Sequence, residues 1–305
     1  MPLSKIEGKS NAIFFMRWGL DMKRKAINGL QDFSFVLPAL LIFVFVIIAP
    51  FISGIHIAFT DWNGINSTYH YVGLKNLISM FSDSEILNPF CNTIFFTVVT
   101  VIFINILGLL LAVALNTEFK GSNIIKTCIF MSMVVSLVLT SYMWVYVLND
   151  FISPFFKIAS PLSSPDTVMI GLCIMSIWKE TGLAMVLYYA GLKTVPKDLL
   201  EAAEIDGANG IQKFFKITIP FLAPVITYCV ILWLGLGLKQ FDYSFVATNG
   251  GPGTSSMSMA MYIYKYEFPY YKAGYGQMVA LVYLIFVLLI TFLTTKALRK
   301  KEIEL

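Results

Sequence analysis

The chain has 305 residues, 57% of them hydrophobic and only 13% charged, with a mean hydropathy of +0.75. A water-soluble domain devotes roughly a quarter of its residues to charge, so this composition excludes a soluble globular protein and predicts an integral membrane protein. The net charge of +4 is modest; its placement matters more than its size, and no nucleic-acid partner is expected.

Residues 1–32 are polar and basic, with Lys5, Lys9, Arg17, Lys23, Arg24 and Lys25. A secretory signal would place its apolar core close behind the first charges and end on a small-residue cleavage site. Here the first long apolar run begins only at Phe33 and continues without such a site, which predicts an uncleaved first span. Before it, Ala12 to Leu20 reads as a short amphipathic helix in the membrane interface. A transmembrane helix needs about 20 mostly apolar residues. Six runs meet that length, at about 33–55, 91–115, 125–148, 167–190, 221–243 and 274–297. In lipid only helices and closed barrels satisfy the backbone, and runs this long are helices. The expectation is an all-α protein with a tail over 1–32, one six-span domain over 33–298 and a tail over 299–305. An even number of spans puts both ends on one side.

Lysine and arginine near the span ends choose that side. With the N-terminus inside, the inner segments hold the basic tail, Lys120, Lys126, Lys193, Lys197, Lys213, Lys216, Lys296, Arg299, Lys300 and Lys301. The outer segments hold only Lys75, Lys157, Lys265 and Lys272. Both termini are therefore expected in the cytoplasm, together with the segment between spans four and five.

The three outer segments differ. The first, about 56–90, carries Asp61-Trp62-Asn63-Gly64 and Tyr71-Val72-Gly73-Leu74-Lys75-Asn76-Leu77, with Asn92-Thr93 opening the next span. The second, Asn149 to Asp166, carries Pro154, Pro161 and Pro165 and reads as a short capped turn. The third, about 244–272, holds Thr248-Asn249-Gly250-Gly251-Pro252-Gly253, whose glycines allow the backbone to fold back on itself. Cys91, Cys128, Cys173 and Cys229 sit in apolar stretches without metal spacing and read as small buried hydrophobes. The two histidines, His56 and His70, support no metal or nucleophile site. No Gly-x-x-x-x-Gly-Lys-Ser/Thr sequence is present to cradle nucleotide phosphates, so ATP hydrolysis by this chain is not expected.

The longest polar interruption in the second half is Glu201 to Pro220, EAAEIDGANGIQKFFKITIP. Leu199, Leu200, Ala202, Ala203 and Ile205 give its first half one apolar side; Ile211, Phe214, Phe215 and Ile217 do the same for the second. Gly207 to Gly210 forms a turn between them, and Pro220 stops the pattern. The reading is helix, tight turn, helix, lying beside the membrane and suited to docking.

This stretch resembles the EAA loop of permease subunits of binding-protein-dependent ABC importers. The family pattern is Glu-Ala-Ala, a Gly four residues after the last Ala, then Ile-x-Leu-Pro. The matching residues are Glu201, Ala202, Ala203, Gly207, Ile217, Ile219 and Pro220, with Ile219 in place of Leu. Ile205-Asp206-Gly207-Ala208 is closer to the carbohydrate branch, the maltose/lactose/multiple-sugar type. The run around Val72-Gly73-Leu74 and the Thr248-to-Pro252 loop resemble further features of that branch.

The resemblance implies a bacterial cytoplasmic-membrane permease subunit that forms half of a sugar pathway with a second, homologous permease subunit. It implies two separate ATPase subunits, which bind ATP and Mg, and an extracytoplasmic solute-binding protein; this chain holds no cofactor and no metal. Glu201, Ala202, Ala203, Asp206, Gly207, Ile217 and Pro220 are then the coupling residues, and Thr248, Gly250, Gly251 and Pro252 an outer loop. Counting from the shared motifs places the substrate path at Ser176, Lys179, Glu180 and Leu183 on the fourth span, and at Trp233, Leu236, Gly237 and Asp242 on the fifth. Lys179 and Glu180 diverge by about 100° around a helix and need not pair. They either face the sugar or sit near the outer third of the span and snorkel or contact the partner. Among the aromatics Tyr142, Trp144, Tyr146, Tyr188, Tyr189 and Trp233, most are expected at the interface or in packing. The alternatives are an ion-coupled secondary sugar carrier, a membrane scaffold or sensor that uses the loop as a docking peptide, and an ABC permease for a polyol or glycerol phosphate.

Overall fold

A computed structural model describes residue 33 and residues 35–117 and 119–300 of the chain. The expected interfacial segment Ala12 to Leu20 lies outside them. The chain divides into two compact units, residues 1–56 and 57–305. The first holds nearly all of helix α1 (Phe35–Ala58), 24 residues with a mean hydropathy of 3.0. One turn of it, Val44–Ile48, is widened to π geometry just before Pro50.

The second unit contains helices α2 (Lys75–Ser82), α3 (Leu87–Ala114), α4 (Ser122–Val134), α5 (Leu137–Tyr146) and α6 (Val168–Leu192). After these come α7 (Lys197–Ile205), α8 (Gly210–Lys213), α9 (Ile219–Leu238), α10 (Met259–Glu267) and α11 (Ala273–Arg299). Among the described residues, five helical stretches are long and apolar enough to cross a membrane, or six if α4 and α5 with its continuation to Phe156 count as one bent span. Among the described residues there is no strand; Thr60 and Tyr71 form an isolated bridge.

The third expected span is therefore not one rod. Its two parts meet at 101°. The chain is extended at Val135, and the Ser136 hydroxyl accepts a hydrogen bond from the Leu139 amide, capping α5. The three segments expected on the outer side also hold more helix than expected. Short α2 lies in the first and α10 in the third. In the second, α5 runs on through a π turn, Val147–Ile152, to Phe156 and ends at Lys157, whose φ is 54°.

Helix α6 is the centre of the bundle, with α3, α4 and α9 packed on it. Lipid tails are as apolar as leucine, so burial alone does not hold such helices together; close packing and hydrogen bonds do. Gly182 is one device. A Cβ there would lie 2.5 Å from the Ile129 carbonyl oxygen, so α4 and α6 touch backbone to backbone. Beside this contact, Ile104, Ala184, Met185, Tyr188, Cys229 and Trp233 form one core cluster. Buried Thr93, Thr97 and Thr100 spend their hydroxyls on carbonyls one turn back in α3, and Thr93 also accepts the Met259 amide at 2.9 Å, seating α10. Cys173 and Cys229 are buried as expected, whereas Cys91 and Cys128 are exposed. Cys91 lies near the start of the membrane-length α3, and Cys128 on the 13-residue α4.

Residues far apart in sequence are tied at Asp83. One carboxylate oxygen accepts hydrogen bonds from the hydroxyls of Tyr262 at 2.6 Å, Tyr275 at 2.8 Å and Tyr266 at 3.3 Å, and the other caps the Glu85 amide. Burial draws the carboxyl upward, but these hydrogen bonds outweigh it and hold its pKa below the usual 3.8.

Candidate functional site

Two places combine exposed or unpaired polar chemistry with a defined geometry. The first is a cavity of about 150 Å³ where α6, α9 and the chain just after α9 converge. Glu180 is midway along α6. It lines the cavity with Ser176, one turn before it, and with Trp233, Leu236 and Gly237 from α9 and Asp242 beyond its end. Six of the eight counted positions thus meet around one space. Trp233 is 2% exposed and Tyr243 is 4% exposed; the indole N–H faces Glu180 and the phenol hydroxyl faces Ser176, and neither completes a well-formed hydrogen bond. Tyr243, Gln240 and Thr100 also line the cavity and were missed from sequence.

Lys179 and Leu183 do not line this cavity. Lys179 is 7% exposed and points elsewhere. Its ammonium donates to the carbonyl oxygens of Met133 at 2.9 Å and Val135 at 2.8 Å, on the broken third span. The Ser132 hydroxyl returns the contact, donating to the Lys179 carbonyl at 3.1 Å. Leu183 packs against the Trp233 core cluster. Of the tempting aromatics, Trp233 alone lines the cavity; Tyr188 donates its hydroxyl to Asn105, Trp144 meets Trp178 edge to face, and Lys126 lies over the Tyr189 ring.

The second place is the hairpin of α7 and α8. Asp198 sits in the first turn of α7, favourable at a helix N-terminus. Gly207 makes the turn at φ +83°, a region that costs other L-residues strain. Asn209 and Gln212 form a reciprocal capping box that starts α8. The two halves are then latched: the Lys213 ammonium lies 2.8 Å from the Glu204 carboxylate, and that hydrogen bond and charge hold the Glu204 carboxyl below its usual range. Glu201, Ala202 and Asp206 are exposed and Ala203 is half-buried. Ile205 is 88% exposed, and Ile211 and Phe215 also stand clear. Ile217 and Pro220 are half-buried, flanking the junction of a π turn, Phe214–Thr218, with α9. No sequence periodicity announced the Glu204–Lys213 pair, because the turn lies between them.

The loop expected on the outer side, Thr248 to Pro252, is closed on itself. The Thr248 hydroxyl bonds Ser256 at 2.6 Å, the Gly250 amide donates to the Ser244 carbonyl, and the Ser256 hydroxyl donates to the Gly251 carbonyl. With Asn149, Leu162 and Ser163, the residues Thr248, Gly251 and Pro252 border a second cavity of about 280 Å³. Among the described residues no group of His, Cys, Asp and Glu is arranged to hold a metal ion.

The fold and sequence both have known counterparts. Residues 104–301 match the family described as binding-protein-dependent transport system inner membrane component. The chain is 31% identical over 284 residues to the probable starch degradation products transport system permease protein AmyD of Thermoanaerobacterium thermosulfurigenes, covering 91% of this chain and 97% of that one. It is 28% identical to the multiple sugar-binding transport system permease protein MsmF of Streptococcus mutans, covering 92% of this chain and 99% of that one. Its fold is similar, with a TM-score of 0.79 at 21% identity, to a chain of a bacterial ABC transporter involved in the import of the acidic polysaccharide alginate, covering 93% of this chain and 99% of that one. The curated relatives are transport permeases, and the chain, with its membrane-length helices, is a multi-pass cytoplasmic-membrane member of the binding-protein-dependent transport system inner membrane component family.

Proposed function

We propose that this chain is one permease subunit of an ATP-driven importer for a saccharide, that the α6–α9 cavity is its share of the cargo path, and that the α7–α8 hairpin is the attachment for a separate ATPase. The observation that carries this reading is the meeting of Ser176, Glu180, Trp233, Leu236, Gly237 and Asp242 around one cavity. These residues come from the two spans that flank the hairpin, so a push on the hairpin is a push on both walls of the cavity.

The mechanism follows from that connection. ATP binding closes two ATPase subunits beneath the membrane, with both termini and the hairpin on the cytoplasmic side. Glu201 pairs with a basic residue of the ATPase, Ala202 and Ala203 allow close approach, and Ile205, Ile211 and Phe215 bury their exposed surface there. The Glu204–Lys213 latch and the Gly207 turn transmit the motion as one body, because α8 runs through its π turn into α9. The spans then open outward, and cargo passes from a solute-binding protein to a cavity shared with a second permease subunit. Hydrolysis resets the inward-facing state, so a ligand at one site biases a two-state element read at another.

An ion-coupled carrier is less well supported. Such carriers use broken helices in matched halves to bind ions with freed carbonyls. Here the carbonyls of Met133 and Val135 at the break are already occupied by Lys179. The test is affinity purification of the tagged chain from gently solubilised membranes with mass spectrometry of what accompanies it. An ATPase and a second permease of similar size are expected; recovery of the chain alone, even after crosslinking at Ala203, overturns the reading.

A further inference from the structure

Resting on the importer reading, we infer that the α6–α9 cavity selects neutral, hydroxyl-rich cargo and rejects anionic saccharides, through Glu180 as acceptor and Trp233 and Tyr243 as donors. Three observations carry it. Trp233 and Tyr243 are almost fully buried, and each turns its donor on the cavity without completing a hydrogen bond, the indole N–H towards Glu180 and the phenol hydroxyl towards Ser176. Buried donors without a completed bond are costly, so they mark where a ligand supplies the missing acceptor. Glu180 supplies the opposite function within the same space, and it forms no ion pair among the described residues. A hydroxyl group both accepts and donates; it satisfies both kinds of partner at once.

The third observation is the missing countercharge. An anionic sugar entering a low-dielectric space needs a cation beside it. Among the described residues, the one buried ammonium near Glu180 belongs to Lys179, and it is committed to the carbonyls of Met133 and Val135. Lys239 does line the cavity, but it is exposed and accompanied by Asp242, so the pair offers no net positive charge. On this chain's side of the shared cavity, a carboxylate or sulfonate would meet Glu180 with no net countercharge.

The experiment uses the purified complete transporter, without solute-binding protein, in equilibrium dialysis against two radiolabelled probes of equal length, neutral maltotriose and anionic trigalacturonate. The wild-type complex is expected to retain maltotriose in preference by about tenfold or more, the scale of one buried polar contact. Glu180→Lys is expected to erase or invert the preference, and Trp233→Phe, which keeps the ring and removes the N–H, to weaken maltotriose retention alone. Should Glu180→Lys fail to assemble, Glu180→Gln serves, with a narrowed preference expected. Equal retention, a preference for trigalacturonate, retention of neither probe, or a preference unmoved by the Glu180 variants overturns the inference. A complex that assembles with its ATPase yet shows no neutral preference loses this selectivity and keeps the importer; a chain that never recruits an ATPase loses the importer reading itself.

Discussion

The Lys179 ammonium lies 2.8 Å from the carbonyl oxygen of Val135, the residue at which the third span breaks. A helix interrupted inside a membrane leaves carbonyls without amide partners, and lipid cannot satisfy them. Lysine from the central helix does so instead. Lys179→Met should therefore destabilise the protein by about 1–3 kcal/mol, from two carbonyls left short of a donor. Ser132→Ala should cost less, because Ser132 adds only one contact to the same joint. Thermal unfolding of the purified variants in detergent checks the order; equal stability of Lys179→Met and wild type would contradict it.

Gly207 tests the hairpin. Its φ is +83° and no atom lies within 4 Å of where a Cβ would stand. Gly207→Leu thus brings backbone strain of about 1–2 kcal/mol and no internal clash. The variant should reach the membrane in normal amounts and fail in uptake while ATP hydrolysis continues. Gly207→Asn, which tolerates the left-handed region, should retain more uptake. Normal uptake by the leucine variant would remove the hairpin from the coupling mechanism.

The Glu204–Lys213 pair predicts a charge-swap rescue. Glu204→Lys and Lys213→Glu each put like charges across the turn and should reduce transport. The double variant restores opposite charges and should recover it in part. Since the pair is solvent-facing, raising the salt concentration should shrink all three differences. Uptake assays at two ionic strengths read this out, and a double variant no better than either single one would refute the latch.

Asp83 predicts an acid limit. Its folded pKa lies below the usual 3.8, so its contribution is complete above that value and is lost as pH falls through the folded value. Asp83→Asn keeps one acceptor and loses the charge that three tyrosines address. It should lower stability at pH 7 by about 1 kcal/mol, allowing for solvent screening. Melting curves for both proteins should converge on acidification below the usual carboxylate range. A difference that stays constant or grows would locate the effect elsewhere.

The spans and the hairpin were legible in the sequence because run length and apolar periodicity are local properties. The Gly207 turn followed from residue type alone. The divergence of Lys179 and Glu180 followed from helical geometry, and Glu180 does line the cavity while Lys179 does not. The break at Val135 was not legible, since the run from Ile124 to Leu148 is apolar without a proline or glycine. It depends on a capping serine and on a lysine 44 residues away. Tyr243 escaped for a related reason: it follows the span end, where counting along a helix no longer says which way a side chain turns. Asp83 and its tyrosines are joined across separations of 179 to 192 residues, which no local pattern reveals.

The uncovered isoleucines and phenylalanine of the hairpin have a consequence for supply. Ile205, Ile211 and Phe215 are flanked by Glu204, Lys213 and Lys216, which keep the segment from sinking into lipid. A molecule whose hairpin is left bare displays the kind of greasy surface that chaperones and proteases bind. On the docking proposed above, copies made in excess of the covering subunit are expected to be removed, so that the abundance of that subunit would limit how much of this chain accumulates.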